Sequence, residues 1–501
     1  MKRLLLINPR FPESFWSFRW VLGTVRRGPK TMCAPLGLAT LAALCPADWT
    51  VEIVDEEIED IPLDPDVDIV GVCGMGVQTH RQLELLKHYR ERGYITVAGG
   101  SYASLCPEHY TDHADHVIAG EAERIWPEFC RDFLLGKANA LYKEEGTIEL
   151  SETPIPRFDL LKLDQYHTAP IQFSRGCPFR CEFCDIIVMF GRKPRTKAPE
   201  QVLQELEVLR KLGHTRPFFV DDNFIGHKPK AKALLRAIRD YQVEHDYPFR
   251  LGTEASVDLA SDDEMVGLLR EAGFVWLFLG IETPNEEALR EAGKLQNLRM
   301  DVLTAVQKLH GQGLDVYAGF IVGFDNDDPD TLRRQKEFII RAGIQVAIVN
   351  LLCAIPKTPL HERVEAEGRL LDVGDEHMAT ALGTNIQPKT MSYDGLIEEY
   401  RQLQFALTDD RAIADKVLNK TAHYSPPLHS EPYRLREEVR MLGRLMRHGV
   451  VPGGPRRMYH FARSMPRGRH AIAAAMVDWA MALSTRDYVE RTMGPTPVRR
   501  R

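Results

Sequence analysis

The sequence lacks a hydrophobic run long enough to cross a membrane. The longest apolar stretch near its end, Ala471 to Leu483, contains Asp478 and is shorter than the roughly 20 residues of a spanning helix. The apolar run after Met1 stops at Pro9, too early for a signal peptide. Positive charge is not in excess either, since 64 Lys and Arg face 71 Asp and Glu. The sequence therefore predicts a cytoplasmic protein and gives no basic field for a nucleic-acid partner.

Cysteine is scarce and unevenly placed. The chain has nine cysteines in 501 residues, and Cys177, Cys181 and Cys184 fall within eight positions. Scattered cysteines in a chain without an export signal are most often small buried residues, so a disulfide framework is excluded. The clustered three indicate metal or redox chemistry.

The composition, 44% apolar and 27% charged, is that of a globular chain with two or three domains. Residues 1–141 alternate apolar strands with helices, which predicts a doubly wound parallel sheet in an α/β fold. Such sheets bind ligands at the carboxyl ends of their strands, where small residues admit a large flat ligand. No G-x-G-x-x-G follows the first strand, so a nicotinamide or flavin dinucleotide is not expected. The candidate binding residues at these strand ends are Gly74, Gly76, Gly99, Gly100, Ser101, Gly120 and Glu121.

Three further segments follow the first. Residues 142–169 predict a loop-rich linker, marked by Pro154 and Pro156 and followed by Pro170. Residues 170–371 contain six strand–helix repeats, beginning with a strand at Ile171 to Ser174, and predict a partial (β/α)6 barrel of the TIM type. Residues 372–501 show no strand pattern and predict a helical, Arg-rich region.

The most specific motif is C-x3-C-x2-C, formed by Cys177, Cys181 and Cys184 directly after the first barrel strand. Thiolates favour zinc or iron–sulfur sites. Three ligands would leave one iron of a [4Fe–4S] cluster open to a substrate. A structural zinc site is the alternative, but it needs a fourth soft ligand, and none is evident nearby.

This motif at the end of a first barrel strand resembles the radical S-adenosylmethionine (SAM) enzymes. The resemblance implies that the three cysteines hold a [4Fe–4S] cluster that binds SAM and cleaves it to a 5′-deoxyadenosyl radical. It also implies that Phe183 lies against the adenine and that Asp221 or Asp222 binds the methionine amino group. Each acid has helix capping as its alternative role. The remaining implied SAM contacts are Glu254, Ser256, Glu282, Gly319 and Gly323.

The first domain resembles the cobalamin-binding domains that precede many radical SAM modules, through Pro35 to Leu38, Asp68 to Gly71, Ala98 to Ser101 and Gly120 to Glu123. The cobalt-ligating pattern D-x-H-x-x-G is missing, because its place reads Asn-Pro-Arg-Phe-Pro-Glu from position 8. The resemblance therefore implies cobalamin bound base-off, without a histidine ligand.

Longer segments resemble the hopanoid C-2 methylase family, which methylates the A-ring of pentacyclic lipids. They are Phe11 to Phe18, Val72 to Gln78, Phe158 to Lys162 and Phe173 to Thr196. The resemblance implies a cobalamin-dependent radical SAM methyltransferase acting on an unactivated carbon of a hydrophobic polycyclic lipid, with C-2 of a hopanoid foremost. A flavodoxin or ferredoxin is the implied electron donor.

Three alternatives share parts of this pattern. A cobalamin-binding radical SAM cyclase or C–C bond-forming enzyme shares every motif. A methylthiotransferase acting on transfer RNA would require further cluster cysteines and a basic surface. A non-catalytic cobalamin or iron–sulfur sensor would not need the polar residues at the barrel strand ends.

Residues 431–501 contain fifteen arginines, no lysine and six acidic residues. Five of these arginines, from Arg456 to Arg469, precede the apolar stretch Ala471 to Leu483. One interpretation is an interfacial helix, peripheral to the inner face of an anionic membrane. The other is a tail helix packed on the barrel.

Overall fold

The computed structural model describes residues 2–26, 28–373, 383–429 and 435–494. They form two parallel sheets and a helical C-terminal region. The strands are β1 (Arg3–Asn8), β2 (Thr31–Cys33), β3 (Thr50–Asp55), β4 (Ile69–Cys73), β5 (Ile95–Gly99), β6 (His116–Ala119), β7 (Leu141–Lys143), β8 (Tyr166–Ile171), β9 (Ser174–Arg175), β10 (Arg195–Thr196), β11 (Pro217–Phe219), β12 (Leu251–Ala255), β13 (Phe274–Glu282), β14 (Asp315–Val322) and β15 (Ala347–Leu351).

The α-helices are α1 (Leu36–Ala43), α2 (Thr79–Glu91), α3 (Ser101–Leu105), α4 (Ala122–Leu134), α5 (Ile186–Met189), α6 (Pro199–Lys211), α7 (Lys228–Glu244), α8 (Asp263–Glu271), α9 (Glu286–Glu291), α10 (Val302–Gly311), α11 (Pro329–Ala342), α12 (Pro359–Ala366), α13 (Tyr393–Leu407), α14 (Asp410–Thr421), α15 (Leu435–Leu445), α16 (Gly454–Arg463) and α17 (Arg469–Thr492). Wider π-helical turns span Val21–Arg26 and Met446–Val450.

The first sheet has the order β3-β1-β4-β5-β6-β7, with every pair parallel. Both faces of its central strands are buried. In β1, Leu4 and Leu6 belong to one apolar cluster with Trp126 of α4, while Leu5 and Ile7 belong to another with Leu85 of α2. Helices on both faces explain the continuous apolar strands and confirm the doubly wound fold. The edge strand β7 was not predicted, since only its central residue is buried.

The second sheet has the order β15-β14-β13-β12-β11-β8-β2. Its six parallel strands β8 and β11 to β15 confirm the partial barrel. The seventh, β2, comes from the N-terminal segment and pairs with β8, placing Thr31 opposite Tyr166. β2 was not predicted, because its three residues are only partly buried and form no apolar run. The N-terminal segment therefore contributes to both sheets.

The first barrel strand begins earlier than the sequence predicts. It spans Tyr166–Ile171, instead of beginning at Ile171, and so occupies part of the predicted linker. Pro170 suggested a loop, yet it pairs with Phe218 of β11. On its other side β2 ends at Cys33, opposite Thr168, so the missing N–H of Pro170 breaks no ladder bond there.

The C-terminal helices pack against the barrel. The apolar stretch Ala471 to Leu483 lies within α17, where Ala475 and Trp479 are fully buried in the main apolar cluster. Several arginines of this region pair with acids of α14 or the turn before it, as Arg457 does with Asp410 at 2.8 Å. The structure thus favours the packed tail helix and gives no support to an interfacial helix. Within the described residues, no helix is both long and apolar enough to cross a membrane.

Candidate active site

The three cysteines lie on a loop between β9 and α5, which we call the cluster loop (residues 176–185). β9 pairs antiparallel with β10, which closes the base of the loop. Gly176 begins the loop with a φ of +88°, and a Cβ there would lie 3.0 Å from the carbonyl oxygen of Gly191. Only glycine fits this position without strain.

Two neighbouring carboxylates at the end of β11 hold the backbone that leads into the cluster loop. Asp221 accepts hydrogen bonds from the backbone N–H groups of Phe173 and Ser174, and Asp222 accepts one from Gly176 at 2.7 Å. Burial is the main cause that raises the pKa of Asp221 to about 7 and that of Asp222 to about 6. These hydrogen bonds hold the start of the cluster loop in place without a contribution from a ligand.

The thiols lie in a partly buried, polar environment. Burial raises the pKa of Cys184 to about 12, although the backbone N–H of Ile186 opposes the shift. Burial also raises the pKa of Cys177, and hydrogen bonds from the backbone N–H of Phe179 and the Asn223 side chain oppose that shift. N–H groups directed at cysteine sulfur are a usual feature of iron–sulfur sites. In the described part of the chain, no three His, Cys, Asp or Glu side chains are arranged as a single-ion metal site.

Lys294, which the sequence analysis missed, lies beside this loop. It is ion-paired with Glu282 at the end of β13, and both side chains are about one-tenth exposed. Its ammonium lies 5.8 Å from the centre of the Phe183 ring, and its charge lowers the pKa of the buried Cys181 thiol, against the larger effect of burial. Glu282 has a φ of +65°, a strained conformation of the kind found at functional sites.

The other predicted SAM contacts lie at the same end of the barrel, at or just after the ends of β12, β13 and β14. Burial and the nearby Asp222 and Asp221 raise the pKa of Glu254 to about 8. The Ser256 hydroxyl accepts a hydrogen bond from Asn223 at 3.1 Å and donates to Asp258. These residues link the cluster loop to β12.

Gly319, within β14, and Gly323, directly after it, have different surroundings. A Cβ at Gly319 would contact the Phe278 ring at 3.3 Å and lie 3.9 Å from Glu282 Oε2, so Gly319 borders the site. Gly323 has a φ of +103° and donates its N–H to the buried Asp327 at 2.8 Å, which makes it part of a turn.

A cavity of about 620 Å³ separates the first sheet from the cluster loop. The predicted residues Gly99, Gly100, Ser101, Gly120 and Glu121 line it, together with Met189 and Phe190 after the loop. Gly74 and Gly76 are not among its described lining residues. A Cβ at Gly74 would overlap the Gln82 side chain, while one at Gly76 would touch the Tyr102 ring at 3.4 Å, so both glycines border side chains of the first domain.

Glu121 also belongs to a buried network of charges that crosses from the first domain to the barrel. It accepts from Arg175 at 2.9 Å and from Arg195 at 2.8 Å, while Glu123 accepts from Arg175 at 2.7 Å. The four side chains are at most 12% exposed. Sequence reasoning missed Arg175, Arg195 and Glu123, although Arg175 adjoins the cluster loop.

The donor set fits the groups that the sequence implies. Three thiols on one loop, each with an N–H group directed at it, suit an iron–sulfur cluster. Small residues along one wall of the large cavity suit a flat, bulky group. Asn223 could have been found only as a polar residue shortly after a barrel strand, a weak signal. Lys294 follows α9 rather than a strand, and no local pattern marks it.

Comparison with known proteins gives two matching family models. Residues 171–339 match the radical SAM superfamily, and residues 358–492 match a domain of unknown function (DUF4070).

Two relatives match most of the chain. An uncharacterized methyltransferase of Synechocystis sp. is 40% identical over 418 residues, which cover 83% of this chain and 77% of the relative. The hopanoid C-2 methylase of Rhodopseudomonas palustris is 31% identical over 459 residues, covering 90% of this chain and 85% of the relative.

A solved structure shares the fold. The cobalamin-dependent SAM radical enzyme OxsB, with aqua-cobalamin and SAM bound, superposes with a TM-score of 0.63 at 14% sequence identity. The match covers 98% of this chain and 80% of that one. At this identity the likeness concerns the fold alone.

Proposed function

The chain belongs to the cobalamin-dependent radical SAM methyltransferases, and from that membership we propose that it methylates an unactivated carbon of a polycyclic lipid, C-2 of a hopanoid. The observation that supports this choice of substrate is the 31% identity to a hopanoid C-2 methylase over 90% of the chain. A large cavity beside the cluster loop, with an apolar wall that includes Leu41 and Leu44, supports a bulky reaction centre between the two sheets.

We assign the cluster to Cys177, Cys181 and Cys184. When bound, a [4Fe–4S] cluster and SAM would supply the radical that removes a hydrogen atom, and cobalamin would carry the methyl group. Cys353 lies after β15 and outside the cluster loop, so it is not part of this set.

Of the two aspartates, we favour Asp222 as the partner of the methionine amino group. Asp221 is 1% exposed, and one of its carboxylate oxygens already accepts two backbone N–H groups. Asp222 is less buried and uses one oxygen for Gly176. Phe183, Glu254, Ser256, Glu282 and Gly319 complete the proposed SAM site. Gly323 would act through the turn that it forms.

We assign cobalamin to the 620 Å³ cavity, against Gly99, Gly100, Ser101 and Gly120. We propose that cobalamin binds there in the base-off form without a histidine ligand; the described residues that line this cavity include no histidine. Gly74 and Gly76 would contribute indirectly, by leaving room for the side chains of Gln82 and Tyr102.

The protein itself would position the reactants and exclude water. The Arg175 network fixes the cluster loop relative to the first domain, and Lys357, after β15, reaches back to the carbonyl oxygen of Leu105 in α3. Both contacts span the cavity rim and would hold the cluster loop and the cobalamin site in a fixed relative position. The hydrophobic lipid and a flavodoxin or ferredoxin are the proposed partners.

The test is a turnover assay after anaerobic purification with cobalamin supplied. We expect about four irons and one corrinoid per chain, and formation of 5′-deoxyadenosine and a methylated product from diploptene. Cys184→Ala should lose cluster iron and 5′-deoxyadenosine, whereas the matched variant Cys353→Ala should keep both. Radical formation without lipid methylation would refute the substrate, and iron without corrinoid would refute the methyl carrier.

A further inference from the structure

The segment that follows β1, residues 9–18, leaves the first sheet and reaches the barrel, and we call it the strap. Near its start, the backbone N–H of Arg10 donates to the Glu56 carboxylate at 3.0 Å. Farther along, Glu13 is ion-paired with Arg491 of α17 at 2.6 Å. The strap is therefore fastened to the first domain and to the C-terminal helices.

Two neighbouring aromatic residues of the strap have opposite environments. Phe15 is 4% exposed and packs edge-on against Tyr488 of α17, with ring centres 4.6 Å apart. Trp16 is 43% exposed, although its ring lies against Phe278 of β13 at a centre-to-centre distance of 4.9 Å. The Ser14 hydroxyl caps this turn by accepting the Trp16 backbone N–H at 3.3 Å. Phe15 thus anchors the strap, while Trp16 leaves much of its ring uncovered.

Phe278 lies beside the proposed SAM site. It is partly buried, whereas the residues before and after it in β13 are buried, so its ring points to the inner face of the barrel. Its neighbour in the strand register is Glu254 of β12. A Cβ at Gly319 would touch the Phe278 ring at 3.3 Å and would lie 3.9 Å from Glu282 Oε2. The indole of Trp16 therefore adjoins the residues that we assign to SAM.

Further aromatic residues extend this surface into the barrel. Trp276 stacks on Phe218 of β11 with ring centres 4.6 Å apart, and its ring centre lies 5.2 Å from that of Tyr317. Gly252 of β12 makes room for them, since a Cβ there would overlap the Trp276 indole. Like Phe278, these three rings are partly buried. Aromatic rings thus line the inner face of the barrel next to the proposed SAM contacts.

The strap also links the two proposed cofactor sites. It begins after β1, whose Leu6 lines the cavity assigned to cobalamin, and it brings Trp16 to Phe278 beside the SAM residues. The carbon that is methylated must be reached from both sites, so the substrate has to lie between them. The uncovered ring of Trp16 is an apolar surface in that position.

Flat aromatic surfaces favour flat apolar ligands. Dispersion contact grows with the area of the two surfaces that meet, and covering an exposed indole also removes apolar area from water. A fused ring system is rigid and loses little conformational entropy on binding, whereas a flexible alkyl chain loses more. Trp16 and Phe278 therefore suit fused rings better than a linear lipid.

We propose that Trp16, supported by Phe278, binds the ring system of a polycyclic apolar substrate and selects it over linear lipids. This inference rests on the proposed function for the reaction and adds to it the residues that recognise the substrate class. Trp16 is a substrate-binding residue and takes no part in the chemistry. Its contact fixes which part of the ring system faces the SAM residues.

The first experiment is calorimetric titration of the full chain, loaded with cluster and cobalamin, under anaerobic conditions and without a reductant. The two probes are glycyrrhetinic acid, which is pentacyclic, and oleic acid, which is linear, both below their micelle concentrations. We expect the pentacyclic acid to bind at least about tenfold more tightly than the linear acid. Equal affinities, or no binding of the pentacyclic acid, would overturn the proposal.

Variants test the role of the indole itself. Trp16→Ala should weaken glycyrrhetinic acid by about tenfold, and Trp16→Phe should restore its affinity to within about threefold of the parent. Tyr459→Ala is the matched control, because this ring of α16 is 65% exposed and lies outside the site. Circular dichroism identifies a variant that fails to fold. A folded Trp16→Ala protein that binds the pentacyclic acid as the parent does would refute the proposal.

Turnover separates this inference from the proposed function. With diploptene, Trp16→Ala should raise KM and lower the methylated product per 5′-deoxyadenosine, while its cluster iron matches that of the parent. If the parent binds glycyrrhetinic acid through Trp16 but leaves diploptene unmethylated, the hopanoid assignment fails and the binding surface stands. If the parent methylates diploptene and Trp16→Ala keeps the parent KM, the binding surface fails and the reaction stands.

Discussion

Arg175 and Glu121 form a buried ion pair, with Nη1 and Oε1 2.9 Å apart, that joins the start of the cluster loop to the first domain. Arg175 lies two residues before the first cluster cysteine, and Glu121 lines the cavity assigned to cobalamin. The same guanidinium also binds Glu123. One side chain thus connects the two halves of the proposed reaction centre.

Arg175→Met should uncouple radical formation from methyl transfer. The change leaves Glu123 buried without its arginine partner, and removing one member of a buried pair costs about 3–5 kcal/mol. We expect the cluster and 5′-deoxyadenosine to be retained, with several-fold less methylated product per 5′-deoxyadenosine. The control is Arg124→Met, because Arg124 pairs with Glu152 at the exposed surface. An unchanged product ratio in Arg175→Met would contradict the positioning role.

Gly100→Ala should destabilise the first domain. Gly100 has a φ of +105°, and a Cβ would overlap the Gly74 carbonyl and lie 2.7 Å from the Gly74 nitrogen. Strain and overpacking together suggest a loss of about 2–4 kcal/mol in the free energy of unfolding. Gly267→Ala in α8 is the control, because nothing lies within 4 Å of its Cβ and alanine favours a helix. Denaturant unfolding would measure both, and equal stabilities would refute the packing argument.

The local parts of the site could be predicted from the sequence. The C-x3-C-x2-C motif sits within one loop, and continuous apolar runs marked most strands of both sheets. The Arg175 network was not predictable in this way, because its partners lie more than 50 positions earlier in the chain. No local pattern specifies which buried acid an arginine will meet.

One strand that was not predicted and one interpretation that stayed open have the same origin. The short strand β2 exists because β8 offers it an unpaired edge, and its three residues carry no signal of their own. The apolar stretch of α17 could have faced a membrane or the barrel with the same residues. Only the tertiary structure shows Trp479 donating its indole N–H to the buried Ser464 at 2.9 Å.

Lys420→Met should destabilise the packing of the C-terminal helices. The Lys420 side chain is 1% exposed and bridges Asp315 of β14 at 2.7 Å and Asp478 of α17 at 2.8 Å. Without it, the buried Asp478 and the partly exposed Asp315 lose their shared cation, and the unpaired buried charge costs about 3–5 kcal/mol. Lys87→Met, at an exposed position in α2, should change stability by less than about 1 kcal/mol. Similar denaturation midpoints for the two variants would contradict the bridging role.

His310 predicts how stability depends on pH. Its imidazole in α10 is 1% exposed, and burial, helped by the charge of Lys420, lowers its pKa to about 4. Neither ring nitrogen has a hydrogen-bond partner among the described residues. Between about pH 6.5 and pH 4, this histidine is protonated in the unfolded chain, where its pKa is near 6.5, but stays neutral in the folded chain. The stabilising contribution is therefore complete above about pH 6.5 and is lost as the pH falls towards 4, by about 3 kcal/mol.

His310→Leu removes this proton-linked term without leaving a polar group unsatisfied. Its unfolding free energy should fall less steeply than that of the parent between pH 6.5 and pH 4, whereas His113→Leu, at an exposed position, should keep the parent slope. Denaturant unfolding at several pH values gives the slopes directly. Because slope rather than absolute stability is compared, a general packing defect in His310→Leu would shift the curve without flattening it. Parallel curves for His310→Leu and the parent would show that the buried imidazole is not the group that titrates.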